Sequence, residues 1–452
     1  MPQADPTLRR QRRHLHFDAL VGLVRQRFEG LPEPRRDPDF SLADTLMAGL
    51  ALFSLKDPSL LAFMHRAVDH NLRRVFGLQA VPSDTQMRTI LDDVDPDRLR
   101  PAFQDVFRQL QRGKVLEPYV FLEGCYLVAL DGVEYFRSHK VHCDHCLSCQ
   151  HKTGDVSYYH QMLAAVLVHP DFPEVIPLAP EPIQRRDGQD KDDCERNAAR
   201  RWLRRFRKDH PHLPIIVTED ALSSNAPHLR DLRDNHIHFI LGVKEGDHQH
   251  LFEQYQRRLE AGQVEAVHEE DAPGGASRSW RFVNGVGINE SNQEVIVNLL
   301  VSIEVDAGGE VHSWAWVTDL TLTTDNVRQV SRGGRTRWRI ENETFNTLKN
   351  QGYHFEHNYG HGSKHLAVVF ASLMMLAFLI DQVQQVCNPL FQEAWRKEGS
   401  KCALWEAVRH LFASFEVSSM AEIYEGIAFG YRRPTLKALI EPAAAGIRID
   451  TS

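Results

Sequence analysis

Apolar positions in the first part of the chain recur every three to four places, as in LMAGLALFSL (46–55) and LRPAFQDVFRQLQ (99–111), which predicts helices over residues 1–118. SLAD (41–44) and SDTQ (83–86) stand before such runs with the side chains of a capped helix start. From Cys125 the pattern turns to compact or alternating apolar runs. YLVALDG (126–132), VEYFRS (133–138), MLAAVLVHP (162–170) and VIPLAP (175–180) read as strands, followed by a charged helix from about Lys191 to Lys208. PIIVTED (214–220), SSNAPHLRDLRD (223–234) and HIHFILGV (236–243) then read as strand, helix and strand. Strands followed by alternating helix and strand imply a mixed sheet with helices packed on it.

Between 247 and 327, WRFVNGVGI, EVIVNLLVSIEV and EVHSWAWVTDL are β-rich pieces separated by the turn clusters DAPGGAS and DAGGE, which predicts an antiparallel insertion. From Arg337 the pattern is mostly helical again. The uncharged run Leu366–Ile380 falls short of the roughly 20 residues that a membrane span needs, and is expected to be a buried core helix. The fold class is therefore α/β, α+β overall. Five parts are expected: a helical region at 1–118, the first part of the core at 119–246, the β insertion at 247–327, a final core part at 328–385 and a helical C-terminal region at 386–452.

Composition changes this picture little. A chain of 452 residues with 42% hydrophobic and 25% charged residues is ordinary globular material. The opening MPQADPTLRRQRRH lacks the apolar stretch of a secretory signal. Seven cysteines do not suggest a disulfide framework and fit a reducing cytoplasm. A net charge of -8 argues against nucleic-acid binding over the whole surface, yet three local basic tracts exist. These are Arg9 to Arg13, Arg200 to Lys208, and Arg328 to Arg339.

The chemistry lies in acids. Asp131 and Asp220 are expected at strand ends, where open α/β sheets place ligand-binding residues, and strand alternation separates Asp220 from Glu219. On a regular helix, Trp338, Glu341, Phe345 and Leu348 share one stripe. Glu341 is thus expected on a buried face that tolerates a charge only beside a partner such as Arg337 or a metal, while Glu343 is expected in solvent. Two strand-end acids and one helical acid suit Mg²⁺ (or Mn²⁺), whose preferred ligands are carboxylate oxygens, and two-metal phosphoryl transfer.

HKVHCDHCLSCQH (139–151) offers a second candidate metal set, Cys143, Cys146, Cys149 and His151, of the kind zinc takes. His354, His357, His361 and His365 are interrupted by Gly360 and Gly362 and are not expected to share a face. Trp280, Trp314 and Trp316 are expected to pack the β insertion.

ALDGVEYF around Asp131, VTEDALSSNAPHL around Asp220 and RWRIENETFNTLKNQGYHFEHNYGHG together resemble prokaryotic insertion-sequence transposases of the DDE class. The resemblance is to the group with a ribonuclease-H-like core and a β-rich insertion before the last acid. It implies that Asp131, Asp220 and Glu341 are the catalytic, metal-holding triad, and that Arg337, Lys349 and Lys244 contact DNA phosphates. It further implies metal-dependent cleavage at transposon ends and 3′-OH strand transfer into target DNA, by a homodimer in the synaptic complex, in a bacterial cytoplasm and without a membrane. The related signature has Tyr, two residues, Arg, three residues, Glu, six residues, Lys. Arg337 and Glu341 fit it, whereas Gly334 stands at the Tyr place and Lys349 falls one place late. A relative that only binds DNA, and a metal-dependent nuclease on the same fold, are the alternative readings.

Overall fold

The computed structural model describes residues 12–66, 70–184, 195–272 and 276–431. Arg9 and Arg10 of the first basic tract, the expected helix start at Lys191, Cys194 and the chain beyond 431 lie outside the described residues. The N-terminal part is helical, with α1 (Phe17–Glu29), α2 (Leu42–Ser54), α3 (Leu60–Met64), α4 (His70–Phe76), α5 (Asp84–Asp92) and α6 (Arg100–Arg112). Local sequence starts two of these as expected. Ser41 Oγ accepts from the Asp44 N–H, and Ser83 and Gln86 exchange the reciprocal bonds of a capping box, so N–H groups with no intrahelical partner are satisfied. Every residue of α2 is buried, so it lies in the core rather than on its edge.

One sheet organises the rest. Its strands are β1 (Val120–Leu122), β2 (Cys125–Ser138), β3 (Leu147–Gln150), β4 (Val156–His169), β5 (Phe172–Pro177), β6 (Glu181–Ile183), β7 (Ile215–Glu219), β8 (His238–Gly242), β9 (Glu265–Ala272), β10 (Ala276–Gly287), β11 (Ile296–Val305) and β12 (Val311–Thr318). β2, β7 and β8 are parallel, β4 runs antiparallel to β2, and β5 and β6 run antiparallel to β4. The sheet is thus mixed, as expected. Helices α7 (Glu195–Asp209) and α8 (Ala226–Asp234) link β6 to β7 and β7 to β8, and α7 buries Trp202, Leu203 and Phe206. The β-rich stretch, entered through α9 (Gln249–Glu260), is antiparallel as expected, but it is not a sheet of its own. β12 pairs with β8, Trp316 opposite Gly242, and β11, β10 and β9 follow, so the core sheet continues through it.

The remaining elements are α10 (Val327–Arg335), a π-helical turn (Ile340–Phe345), α11 (Asn346–Asn350), α12 (Leu366–Cys387), α13 (Pro389–Glu398), α14 (Lys401–Ser414) and α15 (Met420–Phe429). α12 has the length and hydropathy of a membrane span, yet 94% of its most apolar window is buried inside the protein, where it packs on α2, α5, α6 and β5. One ion pair crosses this interior. Lys56, just after α2, places Nζ 2.5 Å from Asp381 Oδ2 on α12, and neither side chain is more than 3% exposed. The Tyr353 hydroxyl donates to the same oxygen at 2.8 Å, and the Trp405 ring lies 3.8 Å from Nζ.

Removing one partner leaves a bare charge in a dry site. Lys56→Met is therefore expected to lower unfolding free energy by about 3–5 kcal/mol in a denaturant titration, with the Lys56→Met/Asp381→Leu pair recovering much of the loss. A loss of under about 1 kcal/mol for the single variant would show that the pair does not tie the N-terminal helices to α12.

Candidate active site

The parallel register of β2 and β7 places the first two acids. The last paired residues are Ala129 and Thr218, and Asp131 and Asp220 each lie two places further along, on the same face of neighbouring strands. Asp131 differs from expectation in one respect. The apolar pattern predicts two strands over 126–138, whereas β2 is continuous and Asp131 sits within it, opposite Ala164 of β4. β7 stops first, which opens the space beside it. Asp220 follows β7 and caps the next turn by accepting from the Leu222 N–H at 2.9 Å. Glu219 points elsewhere, to His228 Nε2 at 2.7 Å in the interior, as alternation requires.

Glu341 reaches this place by a route that periodicity misread. Residues 340–345 form a π-helical turn in which the Asn346 N–H donates to the Glu341 carbonyl, five residues back. Widening the turn shifts the buried face to Ile340, Thr344 and Phe345, and leaves Trp338 43% exposed and the Glu341 side chain 50% exposed. The expected buried stripe through Trp338 and Glu341 is therefore not formed. Glu343 is the less exposed of the two glutamates, and its charge acts on Lys401 rather than on Asp131. Glu341 nonetheless belongs with Asp131, because Arg337 binds both. Its Nη1 lies 3.1 Å from Asp131 Oδ2 and its Nη2 lies 2.7 Å from Glu341 Oε1.

A fourth carboxylate was not singled out in the sequence. Glu195, at the start of α7, faces Gly132 so closely that a Cβ there would stand 2.1 Å from Glu195 Oε1. Gln161 of β4 donates to that oxygen at 2.7 Å. The glycine after Asp131 is thus a space for this acid, a signal visible only in three dimensions. Asp131 is pushed up to about 7, chiefly by burial, with Arg337 opposing and Glu195, Glu341 and Asp220 reinforcing the rise. Burial likewise raises Glu195.

Carboxylate oxygens gathered in a partly desolvated place suit a hard divalent cation, and Arg337 already stands there as a cation between two of them. No three of these acids bring an oxygen each to within 4.8 Å of one another, so a metal would have to draw them inward and displace part of the guanidinium.

Beside Asp220 lies an open groove of about 660 Å³ lined by Lys244, Arg335, Arg337, Trp314 and Trp338. Lys244 and Arg337 therefore lie with the acids, whereas Lys349 is bound to Glu356 at 2.8 Å and does not line this groove. Gly334 has a steric reason: a Cβ there would fall 2.3 Å from Trp316 Nε1, so no tyrosine fits. Trp280 and Trp316 are buried, as packing residues, while Arg335 lies 4.2 Å over the half-buried Trp314 ring. In the second basic tract, Arg200 pairs with Asp231, and Arg201 and Arg205 with the buried Glu181. Those arginines hold the fold together.

The cysteine cluster differs from its expected form. Cys143 and Cys146 come together with His160 of β4 and His361, not with Cys149 and His151. Cys149 lies on β3, and His151 Nε2 is 2.9 Å from Ser157 Oγ. Local spacing does not reveal this set, because the two histidines arrive from elsewhere in the chain.

Residues 186–379 match the family described as transposase DDE domain, a span that contains Asp220 and Glu341 and begins after Asp131. No curated protein matches. Among solved structures, a piggyBac transposase synaptic complex with hairpin DNA is similar at 12% identity and a TM-score of 0.39, over 97% of this chain and 86% of that one. That likeness is too distant to bear on the chemistry.

Asp131 gives a pH test of the metal-free protein. With a folded value of about 7 against an ordinary 3.8, the folded chain keeps a proton that the unfolded chain has released, so this contribution to stability falls as pH rises across that window. Thermal unfolding of Asp131→Asn is expected to change less between those limits than that of wild type. Parallel profiles would contradict the assignment.

Proposed function

Because residues 186–379 match a transposase DDE domain, we propose that this chain is a DNA transposase that cleaves insertion-sequence ends and joins the freed 3′-OH to target DNA. The observation that carries the reading is the meeting of Asp131 and Glu341 on Arg337, with Asp220 on the neighbouring strand. Asp131, Asp220 and Glu341 would hold Mg²⁺ or Mn²⁺, with Glu195 beside them. When bound, such ions activate an attacking oxygen and stabilise a leaving one on phosphorus.

The chain's own residues do the remaining work. Lys244, Arg335 and Arg337 line the groove next to Asp220, where cations position a phosphate backbone without reading sequence. The exposed face of Trp338 borders the same groove and offers a surface for a base to stack on. Arg337 stays paired with Asp131 and Glu341 until a phosphate competes for its two nitrogens and a metal for the carboxylate oxygens. Two transposon ends need two such sites, which calls for a homodimer in the synaptic complex.

The test is cleavage of labelled duplexes carrying the DNA that flanks the reading frame, with Mg²⁺. Asp131→Asn, Asp220→Asn and Glu341→Gln are each expected to lose on the order of 10²–10³-fold in rate while still binding the duplex, since each removes charge stabilisation from the transition state. Wild-type activity in Asp131→Asn would sink the triad. Binding without Mg²⁺-dependent nicking would instead favour a DNA-binding protein, and nicking without joining a nuclease. Lys244→Ala is expected to weaken duplex binding alike for all sequences and to lower the salt slope by about 1. An unchanged slope would remove Lys244 from the contact.

A further inference from the structure

The four side chains around Cys146 have distances of their own. Cys143 Sγ lies 3.8 Å from Cys146 Sγ and 3.5 Å from His160 Nε2. Cys146 Sγ lies 3.5 Å from both His160 Nε2 and His361 Nε2. A tetrahedral zinc ion with bonds of ~2.3 Å to sulfur and ~2.0–2.1 Å to nitrogen requires S···S near ~3.8 Å and S···N near ~3.5 Å. All four measured separations agree with that geometry, and a disulfide, at ~2.05 Å, does not.

The surroundings also call for an ion. Cys146, His160 and His361 are buried, and each imidazole turns Nε2 only towards thiol sulfur. Two buried imidazoles against one buried and one half-buried thiol, with so few bonds between them, are costly unless something binds them. The Cys143 N–H points at Cys146 Sγ at 3.5 Å, as a backbone donor to a metal-bound sulfur does. Tyr135 stacks on His160 and Phe136 lies against His361, which covers the two imidazoles, while Cys143 is half-buried.

We propose that Cys143, Cys146, His160 and His361 bind one structural zinc ion that fastens the chain following the Glu341 turn to the β2–β4 hairpin. Two thiol protons leave to solvent on binding, and the two thiolate charges balance the ion. The ion joins elements far apart in sequence: the segment just after β2, β4 itself, and the Gly360–His361–Gly362 loop between α11 and α12. β2 carries Asp131, and α11 continues the turn that carries Glu341. The clip thus supports the relative placement of the first and last acids from outside the acid site. It stands on its own geometry whether or not the chain is a transposase.

The experiment is metal analysis of the purified full chain, with Co²⁺ exchange as an independent readout. About one equivalent of zinc is expected in wild type and in Cys149→Ser, and less than about 0.2 in Cys146→Ser and His361→Ala. Co²⁺ added to metal-stripped wild type should give the intense visible bands of a tetrahedral site with a sulfur charge-transfer band, whether or not the variants fold. Less than about 0.2 equivalents in wild type together with only weak, octahedral Co²⁺ bands would overturn the site. Loss of zinc from Cys149→Ser equal to that from Cys146→Ser would overturn this ligand set.

Discussion

Arg337 shares its two terminal nitrogens between Asp131 and Glu341, and the acid site depends on that division. Burial, reinforced by the neighbouring carboxylates, holds Asp131 well above its ordinary value. One guanidinium offsets part of that rise while leaving an oxygen of Asp131 to the Gly132 N–H. The arrangement is a compromise: it holds the acids near one another without a metal, and it is loose enough that they do not converge. Sheet register, the π-helical turn and the glycine beside Asp131 all serve to bring carboxylates to this one cation.

The larger frame keeps those elements in place. The parallel run of β2 and β7 fixes the Asp131 and Asp220 pair, while the Lys56–Asp381 ion pair fastens the N-terminal helices to α12. Asp92 works in the same region, accepting from the backbone N–H groups of Ser363, Lys364, His365 and Leu366 and so securing the loop that carries His361. The β-rich stretch contributes Trp314 and Trp316 to the groove because its strands continue the core sheet past β8. Gly333 and Gly334 let α10 lie against Phe121 and Trp316, which brings Arg335 and Arg337 to the groove wall.

Much of this could be read from local pattern. Helix starts at Ser41 and Ser83, the order of strands and helices, and the burial of Leu366–Ile380 follow from spacing and capping chemistry, which act over a few residues. Asp131, Asp220, Glu341 and Arg337 stood out as candidates by type and position. What pattern missed was set by longer-range contact. A π-helical turn has no signature in a regular 3.6-residue period, so the faces of Glu341 and Glu343 were misassigned. Glu195, His160 and His361 matter through neighbours that only the folded chain supplies. Lys349, already one place late for the signature, is held by Glu356.

The central claim is that Asp131, Asp220 and Glu341 close on a divalent ion when Arg337 yields. Crystals soaked in Mn²⁺ would test it directly, through anomalous scattering. The account predicts a peak within bonding distance of Asp131 and Asp220, with Glu341 drawn in and the Arg337 guanidinium displaced from Asp131. Saturating Mn²⁺ with no peak among these acids, and Arg337 still bridging Asp131 and Glu341, would contradict it.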